Sequence, residues 1–385
     1  MKNVRIGVIG AGCMASLHMN NIKKTENAEL TCVCDVDLER AKAAGQKYNC
    51  RVFNDHKELL KGKVSDAVMI VTPHYFHTTT GIDALNAGHH VLVEKPISVH
   101  KADCERLIAA HKKNNKLVFA AMFNMRTDPH YKKIKQLIDS GELGALIRVT
   151  WIITNWFRTN AYFASGSWRA TWKGEGGGVL LNQCPHQLDL FQWLCGMPKK
   201  VHGFCGIGKR HNIEVEDEVT AYMEYKNGAT GVFITSTGEA PGTNRLEIAG
   251  ECGKVVLEGD VLTFTRNEVP ANKFIKTSKQ IFATPDVWNI TIPVNGNGGQ
   301  HAEILQNFVN AILKGEKLIA PAEEGIHSVE LGNAILYSSM TAKPVEMPLD
   351  SRAYEKMLNE LIRKSKFTKK TAKKIDGDLS KSFNK

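Results

Sequence analysis

The sequence predicts an α/β protein of two domains, and three observations carry that prediction. Over the first 125 residues, short apolar runs alternate with helical stretches. A glycine-rich turn follows directly on the first of those runs. From about residue 200 to 295 the pattern turns β-rich, with hairpin signals. At 385 residues the chain has the length of about two domains. A composition of 43% hydrophobic against 23% charged residues supports buried cores rather than disorder.

Taken in order, Val4–Ile9 (VRIGVI) reads as a buried strand. Glu29–Asp35, Asp66–Val71, His90–Val93 and Lys116–Ala121 read as further strands, with helices between them that include Tyr75–Asn86 and Lys101–Asn114. Apolar strands separated by helices imply a parallel sheet covered on both faces. A helix over Pro129–Ser140 stops at Gly141, and a strand-like run, Leu146–Trp156, follows. Glu218–Tyr225 and Ala229–Thr235 flank Lys226-Asn227-Gly228, where Asn-Gly marks a hairpin turn, and Gly259-Asp260 marks another. Helices return at Ala302–Leu313 and Glu323–Ala342. The expected organisation is an α/β domain over 1–125, an antiparallel sheet flanked by helices over 126–348, and a basic C-terminal extension over 349–385.

Several function classes are disfavoured at once. No apolar run approaches the roughly 18 residues of a membrane span, and MKNVRIGVIGAG reads as a strand rather than a signal peptide. Nine scattered cysteines show neither C-x2-C spacing nor a disulfide framework, so reduced thiols in a cytoplasmic protein and no metal site are expected. Cys32 and Cys34 read as small buried hydrophobes. Residues 361–385 hold nine Lys/Arg against two Asp, so +7 of the formal +10 lies there. No aromatic interleaving accompanies that charge, which reads as a solvated tail rather than a nucleic-acid surface.

Gly10-Ala11-Gly12-Cys13-Met14-Ala15 spells G-x-G-x-x-A between a strand and a helix, the context in which that motif binds a dinucleotide. Gly10 permits the tight turn, Gly12 lets the backbone approach a pyrophosphate, and the small Ala15 lets helix and strand pack closely. The helix N-terminus would face the phosphates with free N–H groups. Asp35, 23 residues beyond Gly12 at the end of the second strand, can accept from both ribose hydroxyls and repel a 2′-phosphate. NAD is therefore expected rather than NADP, although Asp35 could equally cap the next helix.

Two segments at carboxyl ends of strands are candidates for chemistry: Thr72-Pro73-His74-Tyr75-Phe76-His77 and Glu94-Lys95-Pro96. A lysine directly after an apolar strand is partly buried, which lowers its pKa and makes it a usable base. In the second domain, Gly176-Gly177-Gly178 precedes Val179-Leu180-Leu181-Asn182-Gln183-Cys184-Pro185-His186-Gln187-Leu188-Asp189. The glycines let the chain pass close to a cofactor or to partner backbone. Asn182 and His186 share a face if the segment is helical, and Pro185 requires that the helix start nearby or kink.

The combination of G-A-G-C-M-A, T-P-H-Y-F-H, E-K-P, F-N-M-R (123–126) and G-G-G-V-L-L-N-Q-C-P-H-Q-L-D resembles the glucose–fructose oxidoreductase / inositol dehydrogenase (Gfo/Idh/MocA) family over roughly residues 3–348. The resemblance implies an N-terminal Rossmann domain and a C-terminal α+β domain whose open, mostly antiparallel sheet serves in homo-oligomer contacts. It implies that Gly10, Gly12, Cys13, Met14 and Ala15 hold pyrophosphate and Asp35 the adenosine ribose. Thr72, Pro73 and His77 would line the dinucleotide, and Glu94 and Lys95 would sit by the nicotinamide ribose. Lys95 would be the catalytic lysine and His186 the histidine near the reacting carbinol. Family members usually carry an aspartate four residues before that histidine, where this chain has Asn182. An amide hydrogen-bonds but supplies no negative charge, so whether Lys95 or His186 takes the proton stays open.

Trp156, Arg158, Tyr162, Trp168, Arg169 and Trp172 precede the glycine run, and aromatic faces with arginines suit a carbohydrate or glycoside. The expected substrate contacts are Asn124, Arg126, Tyr162, Trp168, Arg169, Asn182, His186 and Asp189, the last also able to serve as a structural cap. The expected activity is NAD-dependent oxidation of a secondary hydroxyl of a sugar, glycoside or cyclic polyol, with C3 of a hexose unit as one specific case. Two alternatives share the fold: a glycosidase that retains NAD through transient oxidation, elimination and re-reduction, and a non-catalytic NAD-sensing regulator.

Overall fold

The computed structural model describes residues 2–368; residues 369–385, which carry most of the basic tail, lie outside the described residues. The first sheet is built from β1 (Val4–Ile9), β2 (Ala28–Cys34), β3 (Arg51–Phe53), β4 (Ala67–Ile70), β5 (His90–Val93) and β6 (Phe119–Ala121). Between them run α1 (Ala15–Lys24), α2 (Leu38–Tyr48), α3 (His56–Lys61), α4 (Tyr75–Asn86) and α5 (Lys101–Lys113). All the pairings are parallel and the strand order is β3-β2-β1-β4-β5-β6. That is the doubly wound Rossmann order, with the chain reversing direction across the sheet between β1 and β4. The three-residue β3 carried no pattern long enough to be read from sequence.

A 3-10 turn, Asn124–Thr127, leads into α6 (Pro129–Asp139), β7 (Leu146–Ile153), α7 (Asn160–Ala164) and α8 (Pro185–Cys195). Then come β8 (Lys200–Ile207), β9 (Glu216–Glu224), β10 (Thr230–Ser236), β11 (Asn244–Gly250), β12 (Gly253–Glu258), β13 (Val261–Asn267), α9 (Ala271–Thr277) and β14 (Val287–Ile292). The chain closes with α10 (Gln300–Lys314), α11 (Gly325–Thr341), β15 (Val345–Glu346) and α12 (Ser351–Lys364). The second sheet runs β14-β13-β12-β11-β7-β10-β9-β8-β15 and is antiparallel apart from the parallel pair β7–β10. Asn227-Gly228 does turn between β9 and β10, with Thr230 opposite Glu224.

Strand alternation explains how the second sheet buries one face. Val201 and Gly203 on β8, Ala221 and Met223 on β9 and Phe233 on β10 turn inward toward α8 and α11. Gly203 is required there, since a Cβ would lie 2.1 Å from the Ile335 carbonyl oxygen on α11. The opposite face carries Phe204 and Tyr222, 57% and 43% exposed.

Two elements cross the sequence boundary between the domains. Helix α10 buries Ile304, Leu305, Phe308 and Val309 in the core of the first sheet. The Ala121 N–H donates to the Ala320 carbonyl, so the chain after α10 runs beside β6. At the other end of the protein, α12 buries Tyr354 and Leu358. The start of the expected basic extension is therefore a packed amphipathic helix. These returns lock the two sheets together.

Candidate active site

The carboxyl ends of β1, β4 and β5 lie side by side and release the three first-domain segments singled out from the sequence. At Gly10, φ is +99° and a Cβ would lie 2.7 Å from the Val71 carbonyl, so both the backbone conformation and the close approach of strand β4 demand glycine. Gly12 faces open space, with nothing within 4 Å of its Cβ position. Helix α1 begins after Met14 with no side-chain cap and no acidic residue in its first turn. Uncapped N–H groups before an open space suit a pyrophosphate.

Asp35 is 7% exposed. Its carboxylate accepts from the Ala11 N–H at 2.8 Å and the Asp37 N–H at 2.9 Å, so it braces the glycine turn. The cap of α2 is Asp37, whose side chain accepts from the Arg40 N–H; the alternative role for Asp35 falls away. Arg40 lies on the solvent side, 3.4 Å from both Asp35 oxygens. The four-odd lone pairs of a carboxylate leave Asp35 able to accept from ribose hydroxyls as well. Thr72 Oγ1 is buried without a partner in the protein, a second mark of a ligand surface. These residues fit an NAD molecule.

His77 is a brace: its two ring nitrogens sit 2.7 Å from the Pro96 and Thr72 carbonyls and tie the two loops together. Pro73 lies between them, partly exposed. Glu94 accepts from Lys95's own backbone N–H at 3.0 Å, and its other oxygen sits 2.6 Å from His18 Nε2. Burial would raise the Glu94 carboxyl, but the His18 bond and the nearby His301 and Lys95 hold it well below the usual range.

Lys95 Nζ donates to the backbone carbonyl of Asn182 at 2.8 Å, so the first domain's lysine reaches the second domain's loop. Burial pulls the Lys95 ammonium below the usual lysine value, and Glu94 and Glu175 oppose that pull. Helix α8 starts at Pro185, which occupies its first turn where no N–H is needed. Asn182 therefore lies in the turn before the helix, not on its face. His186 stands edge-on to Phe123 with ring centroids 6.2 Å apart, and its Nδ1 is buried without a partner. Burial, with Lys95 nearby, holds His186 well below the ordinary histidine value, so the imidazole is neutral.

The triple glycine is explained by close packing within the protein, against backbone at Gly178 and side chains at Gly176 and Gly177. A Cβ on Gly178 would lie 2.0 Å from the Glu216 carbonyl oxygen, and one on Gly176 would lie 2.1 Å from Val99 Cγ1. Around this segment Arg169 donates to Tyr162 Oη at 2.9 Å, Gln183 donates to the same oxygen at 3.2 Å, and Tyr162 Oη lies 3.5 Å from Asn182 Oδ1. Trp168 packs edge-on against His74 and carries the Arg169 guanidinium over its ring. Asn124 donates to Gln300 at 2.6 Å and leaves its Oδ1 buried without a partner.

Arg126 and Asp189 go elsewhere. Both are 1% exposed and joined by two 2.7 Å hydrogen bonds. Arg126 also donates to Glu324 at 2.5 Å and to the Ile319 carbonyl at 3.3 Å. An arginine so engaged holds structure and has no face left for a sugar. Cys13 is exposed on the glycine turn. His18, Glu175 and His301 enter the site without having been singled out from sequence. Glu175 had a signal, since it directly precedes the glycine run; His301 had none, because only the return of α10 to the first sheet brings it here.

The description "Oxidoreductase family, NAD-binding Rossmann fold" matches residues 4–122, and "GFO/IDH/MocA C-terminal domain" matches residues 131–256. The chain belongs to the Gfo/Idh/MocA family. Its first domain is the family's NAD-binding Rossmann fold. The inositol 2-dehydrogenase of Salmonella typhimurium is 36% identical over 149 residues, 38% of this chain and 44% of that enzyme, so the chain spans less than half the length of that relative. The D-glucoside 3-dehydrogenase of Escherichia coli is 25% identical over 363 residues, covering 89% of this chain and 97% of that one. Among solved structures, the WlbA dehydrogenase from Chromobacterium violaceum in complex with NADH and UDP-GlcNAcA superposes with a TM-score of 0.78 at 27% identity, covering 91% of this chain and 97% of that one.

Proposed function

We propose that this member of the Gfo/Idh/MocA family oxidises a secondary hydroxyl of a sugar, glycoside or cyclic polyol with NAD. The observation that carries the reading is Lys95 at the end of β5 with its Nζ on the Asn182 carbonyl, four residues before His186. NAD, when bound, supplies the hydride acceptor. The residues of this chain bind it, aim the substrate and handle the proton. Backbone from Gly10 to Ala15 receives the pyrophosphate, and Asp35 receives the ribose hydroxyls.

Lys95 takes the hydroxyl proton. Its pKa is drawn down toward working pH, whereas the neutral His186 is too weak a base to compete and instead hydrogen-bonds the same hydroxyl. Returned to the ammonium form, Lys95 offsets negative charge on the developing carbonyl oxygen. Asn124, Tyr162, Trp168, Arg169 and Asn182 would grip the remainder of the substrate. Tyr162, Trp168 and Arg169 form a stacked aromatic–guanidinium wall of the kind that suits sugar C–H faces and hydroxyls. Inositol and glucoside dehydrogenases among the relatives support this substrate class, with C3 of a hexose unit as a specific case.

The protein would act in the cytoplasm as a homo-oligomer. Among the described residues the cysteines are free thiols, no helix is long and apolar enough to cross a membrane, and the outer face of the second sheet presents Phe204 and Tyr222 for a second copy. A panel of inositols, hexoses, glycosides and nucleotide sugars followed by NADH absorbance tests the activity. Formation of NADH with a ketone product is expected. Release of an aglycone without net NADH, or no turnover across the panel, would overturn the reading.

A further inference from the structure

We propose that Glu175 is a positioning residue for the Lys95 site: its buried carboxylate holds the Asn182 amide and supplies, from the second domain, the negative charge that Asn182 lacks. The inference rests on the proposed role of Lys95. Glu175 is 2% exposed. One oxygen accepts the Ala170 N–H at 2.5 Å and the other accepts from Asn182 Nδ2. Ala170 sits at φ +51°, a left-handed conformation disfavoured for a residue with a side chain, so the contact also braces a strained turn. With Asn182 Nδ2 held by Glu175 and its Oδ1 turned toward Tyr162, the Asn182 backbone carbonyl faces Lys95 Nζ at 2.8 Å.

Glu94 does not duplicate this function. Its two oxygens are taken by His18 and by the Lys95 backbone N–H, and it belongs to the lysine's own loop. Glu175 is the carboxylate that crosses from the other domain, and it favours the charged form of Lys95. Other groups also face Lys95. Arg169 and Cys184 act from the second domain and His186 from α8. His301 acts from α10, and His74 and His77 lie at the start of α4. None of these except Cys184 can add negative charge, and burial pushes that thiol up to about 12.

The test moves the carboxylate. Wild type, Glu175→Gln, Asn182→Asp and the double variant are treated with trace acetic anhydride over a pH series without NAD. Lys95 acetylation is read by peptide mass spectrometry, and the pH profile of sugar oxidation is recorded beside it. In Glu175→Gln the acetylation midpoint should fall by about one pH unit, as expected for removing one opposite charge at close range. The acid limb of the oxidation profile should move with it. In the double variant, where the carboxylate stands at position 182 instead, both should return to the wild-type value. A midpoint unchanged in Glu175→Gln, or not restored in the double variant, overturns the proposal. If Glu175→Gln fails to fold, Glu175→Asp decides: its shorter side chain withdraws the carboxylate from Asn182, so the Lys95 midpoint should fall, and an unchanged midpoint overturns the proposal. Acetylation needs no turnover, so a protein that shows the shift but oxidises nothing refutes the proposed function and not this coupling.

Discussion

Lys95 and Arg126 are both cations held between the two sheets, yet their surroundings differ. Arg126 meets Asp189 with two hydrogen bonds, then Glu324 and the Ile319 carbonyl, and it is 1% exposed. Lys95 makes its one side-chain hydrogen bond to a neutral carbonyl and remains partly exposed. Its carboxylates, Glu94 and Glu175, are occupied by His18, the Lys95 backbone, Ala170 and Asn182. A buried charge held by four hydrogen bonds, three of them to carboxylates, joins domains. A lysine whose head group rests on a neutral carbonyl, with neutral histidines around it, would be able to exchange a proton, as proposed for Lys95.

The sharpest way to break that contrast is Lys95→Ala. It should lower kcat for sugar oxidation by about 10²–10⁴-fold, the range of general acid–base contributions, while the first domain still binds NAD by fluorescence titration. A loss under tenfold would put Lys95 in the same structural class as Arg126. The complementary change, Arg126→Met, leaves Asp189 buried without its partner and should cost about 3–5 kcal/mol of unfolding free energy. Denaturant titration would read it, and residual folded enzyme should keep its pH profile.

A smaller effect concerns the imidazoles. Burial holds His74, His77 and His186 below the ordinary value, and His301 down to about 4. Each is neutral when folded, and in the unfolded chain each takes a proton below about pH 6.5. The unfolded state therefore binds more protons in that range, and stability falls as pH drops from 6.5 toward 4. Each such histidine adds a slope of about 1.4 kcal/mol per pH unit. Thermal melts across that window check the sign, and His301→Gln should flatten the slope. The Arg126 cluster holds no histidine and should leave this slope unchanged. The mildest change is Asp35→Ser, which removes the carboxylate that repels a 2′-phosphate. It should shift the ratio of NADP to NAD affinity by about tenfold, ~1.4 kcal/mol.

Local chemistry was legible from the chain. The apolar runs predicted β1, β2, β4, β5 and β6 to within a few residues, because a parallel sheet must be apolar on both faces. The glycine turn, Asp35 and the lysine after β5 were also legible, since strand ends and turn residues impose their own geometry. Asn-Gly marked the β9–β10 hairpin for the same reason. What the sequence could not say is which polar residues spend their hydrogen bonds on each other. Arg126 and Asp189 looked like substrate contacts until 63 residues of separation closed into a buried pair. Glu175 and His301 joined the site only because a loop folded back on Asn182 and α10 crossed to the first sheet. Short-range sterics and periodicity are written along the chain. Pairing of charges across long loops depends on where the whole chain returns, and only the tertiary structure decides that.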